Sequence, residues 1–312
     1  MSTKGRALFN LIRASWLEDP SLSVEPWQVE DLRSVPEEQL FERLKGFNIS
    51  LDEVSFKGYA DNCESPEELS EMLWVGEDEP ERADQAYLLL FELWRRLLPH
   101  RQSLSIFCDE LDRLVDLYDQ EQMENEEPLQ DALSELERIL DTNVDQGQES
   151  SALFEAVSEF CAHDLESFLY DYATDQIDAG ESIYASELVD GFYEYVSDTL
   201  FFDFLHARLM IDSDEEEAFI SIERILKEEP ALDLLFDILD LLAHRDNSRL
   251  FWIAMRQTQT LIASEEDLQL LLELAESYLR RRSLEHEATK MQGIKTQSAF
   301  YTLIRDFDGS EV

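Results

Sequence analysis

Apolar residues recur along most of the chain at the spacing that places them on one side of an α-helix. Between residues 81 and 98 the pattern consists of Tyr87, Leu90, Phe91, Trp94, Leu97 and Leu98. Between residues 103 and 119 it is repeated by Leu104, Phe107, Leu111, Leu114 and Tyr118. This i, i+3, i+4, i+7 order predicts two amphipathic helices, each with one apolar stripe facing a core.

The same periodicity continues toward the C-terminus. Leu129, Leu133, Leu136 and Leu140 mark a third helix, and further helical patterns cover 152–178, 183–210, 216–227, 231–244, 248–262 and 266–282. The segments 152–178 and 183–210 are interpreted as two long helices. With nine glycines and no alternating β-branched run, the chain shows no hairpin signal. The predicted fold class is all-α, either an irregular multi-helix bundle or a helical-repeat-like array of antiparallel helix pairs.

Polar and acidic stretches separate these helical segments and suggest domain limits. The predicted regions are an N-terminal helical region over 1–147, a C-terminal helical region with acidic long helices over 148–290, and a short basic tail segment over 291–312. Helix starts are marked by capping residues as well. Ser50 and Glu53 have the spacing of a capping box, and Ser264 precedes three acidic residues at a predicted helix start.

Composition adds an extreme charge to this picture. The 312 residues include 71 Asp and Glu against 25 Lys and Arg, a net charge of −46. Such a charge repels nucleic acid and anionic membranes, so we expect no membrane binding and no direct nucleic-acid binding by the acidic surface. Because 44% of the residues are hydrophobic, the chain nevertheless has the apolar material that disordered acidic proteins lack.

The cysteines indicate a reducing compartment. Cys63, Cys108 and Cys161 lie far apart in the sequence, and an odd number of them argues against a secreted disulfide framework. We therefore expect a cytoplasmic protein. Cys108 and Cys161 each follow a phenylalanine in an amphipathic run, which predicts buried apolar groups rather than nucleophiles.

Motifs that carry common enzyme chemistry are missing. The sequence contains no phosphate-binding glycine loop, no G-x-S-x-G nucleophile motif and no H-E-x-x-H zinc motif. The prediction is a non-enzymatic protein without cofactor or metal. The alternative is an unrecognised di-metal carboxylate helical-bundle enzyme, a class that uses two Glu-x-x-His repeats. Only Asp203-x-x-His206 comes near this motif, and Glu159 with His163 forms another acid–histidine pair at i, i+4.

The most distinctive local feature is a run without positive charge. From residue 139 to residue 207 there is no Lys or Arg, but there are sixteen Asp or Glu. Eight of them fall at helical spacing and are the predicted partner-binding residues: Asp164, Asp171, Asp175 and Asp178 in one row, and Glu187, Asp190, Glu194 and Asp198 in a second. Since helices without opposite charges lack stabilising i, i+4 ion pairs, the repulsion in these rows suggests a compensating use.

Aromatic residues are interleaved with these acids. They are Phe168, Tyr170, Tyr172, Phe192, Tyr193, Tyr195, Phe201, Phe202 and Phe204. Their number exceeds what one face of two helices needs, so some are expected to be exposed anchors beside the acids. The function expected first is a protein-interaction module, namely an adaptor, chaperone or inhibitor, that binds a basic protein or basic peptide segment.

Two other functions fit the same charge. The first is a DNA mimic that occupies a nucleic-acid-binding protein. Duplex DNA carries a charge about every 1.7 Å, whereas one carboxylate per helical turn gives one about every 5.4 Å, so mimicry needs roughly three neighbouring rows. The second is solubility alone, including adaptation to high salt, in which the charge has no partner.

The end of the chain reverses the sign of the charge. Its cations are Arg280, Arg281, Arg282, Lys290, Lys295 and Arg305, and the only acids between them are Glu285 and Glu287. One interpretation is self-association, in which this basic segment docks on the acidic surface of its own or a neighbouring chain. The other is that the cations at 280–282 stabilise the negative end of the helix that starts near residue 266.

Overall fold

The computed structural model describes residues 3–75, 79–144 and 146–284, and in these ranges the protein is all-helical. The α-helices are α1 (Arg6–Glu18), α2 (Glu37–Lys45), α3 (Glu53–Ala60), α4 (Pro66–Leu73), α5 (Pro80–Leu97), α6 (Leu104–Asp119), α7 (Glu127–Val144), α8 (Ser150–Ser158), α9 (Leu165–Asp178), α10 (Ser182–Phe192), α11 (Thr199–Met210), α12 (Glu215–Lys227), α13 (Leu232–Ala243), α14 (Ser248–Leu261) and α15 (Glu265–Arg281). Two short 3₁₀ turns, Pro26–Gln28 and Leu32–Ser34, join α1 to α2. The predicted all-α class is confirmed, and the helix contacts are those of a multi-helix bundle or array.

The chain divides into two compact units, Met1–Leu169 and Tyr170–Val312, and the boundary falls within α9. The domain limit at residue 147 stays a prediction. The basic tail segment over 291–312 lies outside the described residues.

The core of the first unit is built around α5. Helices α2 and α4 pack against α5, while α1 and α7 pack against α6. Phe91 and Trp94 of α5 are buried beside Phe56 of α3 and Leu40 of α2. Each such side chain contributes about 1.5–3 kcal/mol by leaving water, so the apolar stripe of α5 is a main source of stability.

The second unit is held by a core that spans its last five helices. Helix α11 packs against α12, α13 packs against α14, and both α13 and α14 contact α15. The rings of Phe251 and Tyr278 stack at a centroid distance of 3.8 Å and an angle of 10°, and Trp252 meets both rings edge-on. Offset or edge contacts of this kind add about 0.5–1.5 kcal/mol to the burial of the rings.

Two predicted long helices are wrong. The segment 152–178 is interrupted between α8 and α9, because acids capture the backbone N–H groups that a continuous helix would use. Asp112 on α6 accepts the N–H of Ala162 at 2.8 Å, and Asp164 accepts the N–H of Glu166 at 3.1 Å. The segment 183–210 is interrupted between α10 and α11, where Asp198 accepts the N–H of Leu200 at 3.1 Å. The remaining predicted helices agree with α5–α7 and α12–α15.

Helix caps were predicted with mixed success. Ser264 is the N-cap of α15 and exchanges side-chain and backbone hydrogen bonds with Asp267, as expected for a capping box. The predicted box of Ser50 and Glu53 is wrong. The N-cap of α3 is Asp52, which forms the reciprocal pair with Ser55, because an Asp in this position supplies an equally good acceptor two residues later.

No helix in the described parts of the chain combines the length and the apolar character that crossing a bilayer requires.

Substitutions of two glycines should change the free energy of unfolding with opposite signs, because one glycine follows a helix end and the other lies inside a helix. Gly180 ends α9 with φ +85°, whereas Gly58 lies inside α3, and a Cβ at either position meets nothing within 4 Å. We expect Gly180→Ala to destabilise the protein by about 1–2 kcal/mol, because an L-residue is strained in the left-handed region. Gly58→Ala should instead stabilise it by about 0.5–1 kcal/mol. Urea unfolding of both variants measures the difference; equal shifts of the same sign would contradict the assigned end of α9.

Candidate functional site

The eight predicted partner-binding carboxylates all lie at exposed positions. They do not all belong to one unit, since Asp164 is in the first unit and the other seven are in the second. We call the seven the acidic face: Asp171, Asp175, Asp178, Glu187, Asp190, Glu194 and Asp198.

The predicted first row is kept on α9 from Asp171 to Asp178. Asp175 follows one turn after Asp171, and Asp178 follows at i+3, so the three carboxylates share one side of the helix. Asp178 also pairs with Arg208 of α11, whose Nη2 lies 2.6 Å from Oδ1. Asp164 precedes α9, where it accepts backbone N–H groups as a cap.

The predicted second row is broken. Only Glu187 and Asp190 lie on α10, which ends at Phe192. Glu194 lies in the following turn, and Asp198 is the N-cap of α11. The prediction that these four residues line one helix is therefore wrong, although all four remain exposed. Asp190 lies 3.6 Å from Nε2 of His206, measured from its Oδ1.

The interleaved aromatic residues are not exposed anchors. Of the nine residues, Phe168, Tyr172, Phe192, Tyr195, Phe202 and Phe204 are buried, and Tyr170, Tyr193 and Phe201 are half-buried. Tyr170 and Phe201 meet edge-on at 5.0 Å, and the hydroxyl of Tyr170 donates to Asp237 at 2.5 Å. The aromatics are accommodated because they are spread over α9, α10, the turn that follows α10, and α11, and not over two helices as predicted.

An exposed apolar residue that the sequence reading missed lies on the acidic side of α10. Ile183 is 80% exposed. It precedes Glu187 by four residues and Asp190 by seven, so the three side chains share one side of the helix. The signal was present in the sequence, where an isoleucine continues the spacing of the acids, but only the structure shows that it is not part of a core.

The residues named for a di-metal site have other partners. Glu159 contacts Lys4, His163 contacts Asp116, Asp203 accepts from Tyr193, and His206 lies beside Asp190. Within the described ranges, no three His, Cys, Asp or Glu side chains are grouped so that they could hold a metal ion.

The three cysteines are free thiols in buried positions. Cys108 and Cys161 both donate to the carbonyl oxygen of Val157 at 3.9 Å. The hydrogen bond with Cys108, together with burial, raises the pKa of the Cys161 thiol well above its ordinary value. A buried thiol that resists ionisation is a poor nucleophile.

Sequence reasoning also missed a buried polar network on α6. Asp109 accepts from Asn10 at 3.0 Å, from Arg33 at 2.6 Å and from Arg6 at 3.3 Å. Burial opposes ionisation of Asp109, but the two guanidinium groups outweigh it and lower its pKa. The network ties α1 and the second 3₁₀ turn to α6. In the sequence, Asp109 lies on the predicted polar side of α6. The local pattern does not show that α1 and the second 3₁₀ turn bury this side.

For Asp112, which lies about one turn further along α6, burial and hydrogen bonding have opposite effects on the pKa, and burial is the larger. It accepts the N–H groups of Ala162 and His163 and the amide of Asn10. Burial nevertheless dominates and raises the pKa of Asp112 to about 6. Nε2 of His163 donates to the Asp116 carboxylate at 3.1 Å, and this contact raises the pKa of His163. Asp112 therefore titrates near pH 6 while it holds the segment between α8 and α9 in place.

Comparison with known proteins gives no relative: no protein-family model, no curated protein and no solved structure matches this chain.

The raised pKa values of Asp112 and His163 predict that the free energy of unfolding depends on pH. A group with a higher pKa in the folded state binds its proton more tightly there, so its contribution is present at low pH and is lost as pH rises through the folded pKa. For Asp112 this loss is about 1 kcal/mol between pH 5 and pH 8, and His163 adds to it with the same sign.

Urea unfolding at pH 5 and at pH 8 measures this loss of stability. The free energy of unfolding should fall by about 1 kcal/mol more in the wild type than in Asp112→Asn, because the variant cannot ionise there. Asp131→Asn, at an exposed position on α7, is the control and should keep the slope of the wild type. Equal slopes in wild type and Asp112→Asn would contradict the raised pKa.

Proposed function

We propose that this protein is a non-enzymatic interaction protein of the cytoplasm that binds a basic protein or peptide segment through the acidic face. The observation that carries the proposal is the exposure of all seven carboxylates in a stretch, 139–207, that contains no Lys or Arg. A basic segment would supply the positive charges that this part of the chain does not supply itself.

The contrast with other helices supports the proposal. Several helices carry their own opposite charges one turn away, as in the pairs Glu42–Lys45 on α2, Glu53–Lys57 on α3 and Glu276–Arg280 on α15. Helices α9 and α10 have no cation in their sequences, so no such pair forms within them. Each missing pair forgoes about 0.2–0.5 kcal/mol, and like charges one turn apart cost a similar amount.

Some of these acids have a structural role. Asp198 caps α11 and Asp178 pairs with Arg208. Glu187 and Glu194 have no ion pair or side-chain hydrogen bond to another described residue. A binding role gives these two residues a purpose that helix stability does not.

Ile183 supplies an exposed apolar contact area, which the carboxylates do not. Exposed charge steers a partner and raises the association rate, but it adds little affinity once water and salt screen it. An isoleucine in line with Glu187 and Asp190 offers apolar contact to the same ligand. The complementary segment is therefore basic with an apolar residue about one helical turn from its charges.

Charge reversal on the acidic face tests this function. Partners are captured from a cell lysate at low salt, and a captured basic protein is purified for binding measurements. Asp171, Asp175, Glu187 and Glu194 are then changed to Lys together. Binding should weaken by about 100-fold or more, and raising NaCl from about 50 mM to about 500 mM should lower the association rate of the wild type by about ten-fold.

A second quadruple variant controls for total charge. It changes to Lys four exposed acids elsewhere in the same unit: Glu228, Asp233, Asp240 and Glu273. It alters the net charge by the same amount and should retain most of the binding, while circular dichroism checks that both variants fold. Equal loss in the two variants, or no captured basic partner, would contradict the proposal. Displacement of the partner by duplex DNA would favour the DNA-mimic alternative instead.

A further inference from the structure

A cavity of about 300 Å³ lies in the first unit between the first 3₁₀ turn, α2 and α5. Its floor consists of Leu32, Leu88 and Leu89, which are all buried. Trp27 and Phe47 form aromatic walls. This size and this mainly apolar lining fall within the range of small-molecule sites, which begins at roughly 300 Å³.

Both aromatic walls are held by contacts outside the cavity. The ring of Trp27 packs on Phe9 with the centroids 5.7 Å apart. The guanidinium of Arg82 lies 5.5 Å from the centroid of Phe47 and donates to the carbonyl of Gly46 at 2.9 Å. The walls are therefore positioned before any ligand arrives, which reduces the entropy lost on binding.

An ion pair of unusual geometry lies at the mouth of the cavity. Nη1 of Arg43 contacts both carboxylate oxygens of Glu30, at 2.9 Å and 2.7 Å. The side chains are 41% and 35% exposed. Because Arg43 uses one nitrogen, its Nε and Nη2 donors have no acceptor among the described residues, and each Glu30 oxygen keeps a lone pair. The Gln85 amide, which also lines the cavity, makes no hydrogen bond to another described side chain or backbone group.

We infer that this cavity binds a free α-amino acid with a large apolar side chain. The carboxylate of the amino acid takes the remaining donors of Arg43, its ammonium group takes Glu30, and its side chain enters between Trp27 and Phe47. A zwitterion pairs with an adjacent cation and anion at once. A simple amine is repelled by Arg43, and a simple carboxylic acid is repelled by Glu30. The inference is independent of the proposed function, since none of these residues belongs to the acidic face.

Isothermal titration with L-phenylalanine and L-leucine tests the site. The one-sided probes are 3-phenylpropanoate and 2-phenylethylamine, and N-acetyl-L-phenylalanine amide is the uncharged probe. We expect both amino acids to bind and each of the three probes to bind at least about ten-fold more weakly, because each leaves one or both charged groups at the mouth without a ligand partner. Absence of binding by both amino acids at about 10 mM, or a probe that binds as tightly as L-phenylalanine, would overturn the inference.

Variants of the two charged residues, with a matched control on α2, identify the groups involved. Arg43→Gln, and separately Glu30→Gln, should each weaken binding of L-phenylalanine by about ten-fold or more. Lys45→Gln is the control, because Lys45 is exposed on the same helix and pairs with Glu42 away from the cavity lining. Circular dichroism verifies the fold of each variant. If Lys45→Gln weakens binding as much as Arg43→Gln, the effect reflects general charge and the assigned site is wrong.

Discussion

Burial of one apolar stripe per helix is the interaction on which the rest of this structure depends. A net charge of −46 favours an expanded chain, and no disulfide links the described cysteines to oppose it. Stability therefore comes from buried apolar clusters, among them those around α5 and around α13–α15. The acids lie mainly on the opposite sides of the same helices, so the pattern that forms the cores also produces the negative surface.

Many acids nevertheless have structural uses. Asp52, Asp164, Asp198 and Asp214 cap helices or accept N–H groups at helix starts, where the helix dipole favours negative charge. Asp109 is buried against two guanidinium groups, and Asp112 holds the segment that separates α8 from α9. Charge in this protein is thus partly a folding device. The acidic face is notable because helix caps and ion pairs account for only part of it.

The two proposed sites rely on different physics. The acidic face acts through negative charge at exposed positions, and its interaction with a basic segment is long-ranged and sensitive to salt. The cavity beside α2 acts through a neutral pair of charges and fixed aromatic walls, so shape and short-range hydrogen bonds dominate there.

The sequence by itself determined the helical class, the positions of α5–α7 and α12–α15, and the exposure of the eight predicted carboxylates, because these follow from local periodicity. Only the tertiary structure decided the rest. The interruption after Ser158 depends on Asp112, about fifty residues earlier in the chain, and the burial of Tyr172 and Phe202 depends on how α9–α11 pack. Glu30 and Arg43 form their pair beside a cavity because α2 and α5 meet there. Contacts between distant residues set each of these features, and a local pattern contains no information about such contacts.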